Sequence, residues 1–369
     1  MSSADKPMLV LDSHCDAPSQ MMRARDYTKD NPWGHVDFPK LRAGGVDASV
    51  FALYCPPGLA PDEATRYTLD MLAHLYDQLD NAEGEVEFAF SASEVRENKA
   101  KGLTSILISM ENGAPIQRSL PMLRLFYRMG VVCMTLAHNA DNEICDSCAG
   151  QRRWGGLSPF GREVVQEMNR LGMVVDIAHC SDDTVRDCLE LSKAPIVSTH
   201  SCCKALASHR RNLPDDLLKA IADKGGVVQI NFCPSFLRDD FDIRMSETGL
   251  GDRADAAEAE FIADPLNPAK VAKWVEVQRE MEAMERPSYM DVVDHIDHAV
   301  RVMGVDHVGV GTDYDGISVA PAGLENVSKL PVLWEEMRRR GYSSTDIEKI
   351  AGLNFLRVLE TVENAAKGY

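Results

Sequence analysis

The stretch LDSHCDAP, residues 11–18, ends an apolar run in His14 and Asp16, two positions apart. Successive side chains of a strand point to opposite faces, so on a strand these two would share a side and Cys15 would point away. An imidazole and a carboxylate converging there could ligate a metal; a strand turning polar as it meets solvent would look the same. Further along, Glu111 stands in SMENG, His138 in LAHN, His179 in DIAHC, His200 in STHS, and Asp313 and Asp315 in GTDYDG. Imidazoles with carboxylates and no thiolate among them suit Zn2+ and also admit Mn2+, Co2+ or Fe2+. Five candidate ligands, His14, Asp16, Glu111, His179 and His200, exceed the three protein ligands and a water that a catalytic zinc usually takes. They fit two ions if one carboxylate bridges, an arrangement that lowers the pKa of a shared water while polarising a carbonyl.

The elements that must position these groups are short apolar segments. Residues 8–11, 48–54, 104–110, 131–136, 173–178, 195–199, 226–231 and 307–311 make eight candidate strands, with helical patterns between them. Six of the eight end in an imidazole or a carboxylate. The helices carry recognisable ends. Ser158 and Ser181 are placed to cap, Pro159 sits in a first turn, Gly172 stops a helix, and Pro214 opens another. Ser288 with Asp291 and Ser343 with Asp346 resemble capping boxes. Apolar rather than alternating strands, each followed by a helix, read as a parallel sheet covered by helices. Eight such units favour a closed (β/α)8 TIM barrel over an open sheet, and in a barrel the functional groups gather at the C-terminal strand ends. No linker interrupts residues 1–369, so a single catalytic domain is expected. A polar, partly helical segment at about 233–288 is inserted where the seventh strand would otherwise pass quickly to its helix. It reads equally well as a lid and as a tolerated surface insertion.

Not every histidine joins the set. His35, His74, His295, His298 and His307 lie in loops, in helical patterns or at a strand's start, and Asp294 and His298 are spaced to pair on a helix surface. The balance of 39 basic and 57 acidic residues, a net charge of −18, argues against nucleic acid and anionic membrane as partners. No run approaches the roughly 18 apolar residues that would span a bilayer. The start, MSSADKPMLVLDSHCD, lacks a basic region followed by a long apolar one, so a cytoplasmic location and reduced thiols for the ten cysteines are expected. The lone Cys145-x-x-Cys148 has no second pair to complete a zinc site.

In combination, the HxD at residues 14–16, the Glu of SMENG, LAHNADN, DIAHCS, THS, the H-x-R-N of SHRRNLPDD and GTDYDG resemble the renal (membrane) dipeptidase family of zinc metallopeptidases, among the amidohydrolase-like barrels. The resemblance runs from residue 9 to about residue 360. It implies that His14 and Asp16 hold one zinc, His179 and His200 the other, and Glu111 bridges. By the same resemblance His138 contacts substrate and stabilises the developing oxyanion, and Arg211 grips the substrate's C-terminal carboxylate. Asp313 resembles the residue that takes a proton from water and returns it to the leaving amine. Asp315 and Tyr314 are expected to be structural neighbours. HCD stands where many relatives read HND, and the insertion is longer than in mammalian members.

The activity so implied is hydrolysis of dipeptides with an L residue first and an L or D residue second, by attack of a metal-bridging hydroxide. An N-acyl-amino-acid deacylase or a lactonase would use the same metals, and a non-catalytic metal-binding protein would need neither Arg211 nor Asp313. A small dipeptide is the expected partner, and a homodimer is left open.

Overall fold

The computed structural model describes residues 8–82 and 84–366. Eight parallel strands follow one another around a barrel: β1 (Leu11–Cys15), β2 (Ala48–Tyr54), β3 (Thr104–Glu111), β4 (Val131–Thr135), β5 (Val174–Asp176), β6 (Val197–Ser198), β7 (Val227–Ile230) and β8 (Val308–Val310). The TIM-barrel expectation holds. A three-residue strand, Val86–Phe88, also pairs with β3. It is too short to carry a periodicity, and its sequence does not announce it. Closure between the last strand and the first comes just beyond β8. There the Asp313 amide donates to the His14 carbonyl at 3.0 Å and the Asp16 amide to the Tyr314 carbonyl at 2.9 Å. The Asp12 carboxylate adds to this seam by accepting from the Thr312 amide at 2.9 Å and its hydroxyl at 2.7 Å.

Alternation along the strands sorts side chains into two apolar clusters. On β3, Leu107 packs inside the barrel while Ile106, Ile108 and Met110 face the helices. The inner cluster gathers Leu9, Leu11, Val50, Leu107, Val174, Val197 and Val227, and the apolar face of the C-terminal helix (Asn354–Ala366) covers it with Phe355, Leu356 and Leu359. The bottom of the barrel is therefore dry, and on β3, β5 and β7 the position two residues further up is polar (Ser109, Asp176 and Gln229). On β3 the inward series is Leu107, Ser109, Glu111, all buried.

The expected caps are present. Ser158 and Ser181 accept from the amides of Gly161 and Thr184, Gly172 ends its helix in the left-handed conformation, and the boxes Ser288–Asp291 and Ser343–Asp346 are both formed. The segment at about 233–288 is built of helices. Four helices, Pro234–Leu237, Asp240–Thr248, Leu250–Ala263 and Pro268–Ala283, precede the barrel helix Tyr289–Met303. They carry their own apolar cluster, with Phe241, Ala257, Phe261, Trp274 and Met281 at its heart. Trp33, from the chain after β1, packs edge-on against Phe261 at 5.6 Å, and Val319, after β8, joins the same cluster. The insertion is thus fastened across the C-terminal mouth of the barrel.

Candidate metal centre and active site

The eight residues singled out from the sequence (His14, Asp16, Glu111, His138, His179, His200, Arg211 and Asp313) all come to this mouth. Asp16, Glu111, His138, His179, Arg211 and Asp313 line a cavity of about 600 Å3, and His14 and His200 are buried just beneath it. His14 gets there by an irregularity. Leu9 and Leu11 face the barrel interior, and strict alternation would turn His14 outward, but the pairing of β1 with β2 slips between Asp12 and Cys15. Cys15 then joins the outer cluster. Asp16 lies just past the strand, at the start of the helix Ala17–Met22.

Glu111 stands at the centre. Its Oε1 lies 3.0 Å from His179 Nε2, 3.5 Å from His200 Nε2 and 3.8 Å from His138 Nε2, and its Oε2 lies 3.6 Å from His14 Nε2. His14 Nε2 is also 3.5 Å from Asp16 Oδ2. The Nε2 atoms of His179 and His200 approach to 3.0 Å. Three overlapping groups have their ligand atoms close enough to hold an ion: His14–Asp16–Glu111, Glu111–His138–His179 and His14–His200–Asp313.

The donor set fits divalent metal. His14 Nε2 is buried without a hydrogen-bond partner among groups that are all potential ligands. Burial holds His179 and His200 well below the ordinary imidazole value, so both rest in the neutral form that ligates metal. Burial and the charge of Glu111 push Asp16 well up. Burial opposes a charge on His14, yet Glu111 and Asp16 overcome it and hold His14 well above the usual range. The cluster therefore draws positive charge.

The remaining residues surround this centre. Burial lowers His138, whose ring meets Tyr54 edge-on at 4.8 Å. Arg211 is buried, anchored by Nη2 to the His200 carbonyl at 3.0 Å, and packed over Phe236 at 5.4 Å, while its Nε has no partner. Asp313 adopts a left-handed backbone (φ 61°) and takes a hydrogen bond from Asn231 Nδ2 at 2.9 Å. Loss of water and the charge of Glu111 raise its carboxyl above the ordinary range. Met245, Glu258, Ile262 and Met281 from the insertion form one wall of the cavity, so the segment is part of the site.

Residues left out of the ligand set are engaged elsewhere, although Asp315 also borders the cavity. Asp315 binds Arg25, at 3.1 Å, the Tyr27 hydroxyl and the His35 amide, and Tyr314 donates to the Leu324 carbonyl at 2.6 Å. His295 is buried between Cys203 and Leu237, His307 bonds the Gly226 carbonyl, and His74 is exposed. The Asp294–His298 pair is a correction. His298 reaches across to Asp215 at 2.8 Å and Asp294 pairs with Arg340, because both face neighbouring elements. All ten cysteines are free thiols, and among the described residues no helix is long and apolar enough to cross a membrane. Tyr54, Asn139 and Asn231 also belong to the site and were not expected there. Tyr54 and Asn231 end the two strands without imidazole or carboxylate, so reading every strand end for any polar group would have found them.

A model of the membrane dipeptidase family (peptidase family M19) matches residues 3–369. Dipeptidase aclJ of Aspergillus oryzae is 33% identical over 358 residues, 95% of this chain and 75% of that protein. The probable dipeptidase PvdM of Pseudomonas aeruginosa superimposes with a TM-score of 0.82 at 27% identity, covering 97% of this chain and 96% of that one. A metallopeptidase of Rhodobacter sphaeroides, solved with a phosphinate mimic of the dipeptide L-Ala-D-Ala, gives a TM-score of 0.80 at 27% identity over 97% of this chain and all of its own. The family match runs the length of the barrel and takes in every strand end that feeds the cluster, so the chain belongs to the membrane dipeptidase family, peptidase family M19, and is a metallopeptidase.

Proposed function

We propose that the protein is a binuclear zinc dipeptidase acting on dipeptides with an L residue first and an L or D residue second. The observation that carries this reading is the two-sided placement of Glu111, one oxygen toward His179 and His200 and the other toward His14. On that basis His14 and Asp16 would hold one zinc, His179 and His200 the other, and Glu111 would bridge. What bound ions supply is Lewis acidity, which activates water and polarises the scissile carbonyl.

The chain's own groups do the rest. Arg211, with an unpartnered Nε and a guanidinium fixed from behind, receives the substrate's C-terminal carboxylate, a task for which its planar fork is suited. That places the peptide bond over the centre. His138, kept neutral by burial, donates a hydrogen bond to the oxygen on which negative charge develops. Asp313, oriented by Asn231 and raised toward the working pH, accepts the proton of the attacking water and delivers it to the leaving amine. The stereochemical part of the reading draws on the Rhodobacter sphaeroides relative, which was solved with a mimic of L-Ala-D-Ala.

The test is hydrolysis of a panel of L-L, L-D, D-L and D-D dipeptides by zinc-loaded protein. Cleavage of the L-first pairs alone is expected. Cleavage of N-acyl amino acids or lactones, with silence across the dipeptides, would overturn the substrate assignment and leave the metal site in place.

A further inference from the structure

Beneath the metal centre lies a buried carboxylate that the proposed reaction does not use. Asp176, at the end of β5, accepts from the amides of Ala178 at 3.0 Å and Thr199 at 2.9 Å, and from the hydroxyls of Thr199 at 2.7 Å and of Thr135. Thr199 is thus clamped through both its amide and its hydroxyl to one carboxylate, which fixes its rotamer. A carboxylate only accepts, so the hydroxyl spends its single proton on Asp176.

The lone pairs of that oxygen face imidazole. His200 Nδ1 lies 2.9 Å away and His14 Nδ1 lies 3.5 Å away. The two rings sit one against the other, with centroids 3.8 Å apart. An oxygen whose proton is committed can only accept from them, so each Nδ1 carries a hydrogen, and Nε2, on the side of Glu111, is left as the ligating atom of each ring. His179 is set by a different partner, Asn139 Oδ1, at 3.0 Å from its Nδ1.

We propose that Thr199, held by Asp176, is a positioning residue for the metal centre. Its one hydroxyl sets the tautomer and ring orientation of a histidine from each half of the centre, His200 and His14. The inference rests on the reading of these histidines as metal ligands and deepens it. Outer partners of this kind orient ligand rings, and their loss typically costs 10–100-fold in metal affinity. Here one oxygen would serve both ions, so its removal should weaken both rather than one.

The experiment compares zinc affinity in wild type, Thr199→Val and Thr199→Ser by competition with a chromophoric chelator, with thermal unfolding of the zinc-free proteins alongside. Valine keeps the shape and removes the hydroxyl. The expected result is a loss of about 10–100-fold for both zinc equivalents in the valine variant and recovery in the serine variant. Wild-type affinity in the valine variant, or a serine variant as weak as valine, would overturn the proposal. Independently of any variant, NMR of 15N-histidine-labelled, zinc-free wild type reads the His200 tautomer. A proton on Nδ1 supports the assignment, and a proton on Nε2 overturns it. If wild type took up no zinc, the metal reading would fall and this inference with it. Normal uptake by wild type and by the valine variant would sink the Thr199 role alone.

Discussion

Glu111 Oε1 lies 3.0 Å from His179 Nε2, the closest approach between a carboxylate and an imidazole in the cluster, while the other oxygen turns to His14. A side chain shared in this way couples the two halves of the site. Glu111→Gln keeps the shape but removes the charge and one acceptor oxygen. On the binuclear reading proposed above, zinc content after dialysis should fall from two per chain toward one or none, as measured by elemental analysis. Full loading of the variant would rule out the bridging role.

Asp313→Asn should separate metal binding from turnover. Asp313 accepts its structural hydrogen bond from Asn231, and its proposed work is proton transfer, so zinc loading should be retained while kcat drops about 10²–10⁴-fold. The sign of the pH dependence also follows. In the proposed cycle the base form of Asp313 acts first, and its carboxyl is raised, so wild-type kcat/KM should fall as pH drops through that raised value. This acid limb should be missing from the residual activity of Asp313→Asn. An unchanged limb would assign it to another group.

Arg211→Lys should report on carboxylate recognition. Replacing a buried planar fork by a point charge loses a charge-assisted hydrogen bond, about 1.5–3 kcal/mol, or roughly 10–100-fold in kcat/KM. The loss should appear with free dipeptides and vanish with their C-terminal amides. An equal loss on both would mean that Arg211 only supports the wall of the cavity.

Gly316→Ala probes crowding at the same centre. A Cβ there would sit 2.1 Å from Asp16 Oδ2 and 2.7 Å from Asp313 Oδ1. One of the two carboxylates must move, and a misplacement of that size at a reacting centre costs about 10²-fold in activity. Gly316 itself is exposed on the cavity side, so thermal unfolding should change little. Wild-type turnover in the alanine variant would show that the carboxylates are not held tightly.

Asp315→Asn should act on stability. Burial alone would raise this carboxyl, but Arg25, His35 and Tyr27 outweigh it and hold it well below the ordinary range. Taking away its charge leaves the Arg25 guanidinium buried and unpaired, at a cost of about 3–5 kcal/mol. A depressed folded pKa means the stabilisation is complete above the unfolded value of about 3.9 and is lost only as pH falls below it. The stability gap between wild type and variant, measured by urea unfolding, should therefore be flat between neutral pH and mild acid. A gap that widened or closed across that window would contradict the pairing.

The sequence by itself determined which residues could meet. The period and spacing of eight apolar segments are a local record, and a parallel barrel puts every strand's C-terminal end at one mouth, so a histidine or carboxylate at a strand end is legible from pattern and spacing alone. The capping serines are legible for the same reason, since a cap and its amide lie two or three residues apart. Only the tertiary structure decided the rest. The slip in β1 that turns His14 inward depends on its pairing with β2. The partner of His298 lies 83 positions away, on another helix. The insertion becomes a cavity wall because Trp33 and Val319, distant in sequence, complete its apolar cluster. Likewise Thr199 and Asp176, 23 positions apart, become neighbours only because β5 and β6 pair side by side. Side-chain periodicity reports which face a residue offers along its own element, whereas the partner it finds there depends on chain that folds back from elsewhere.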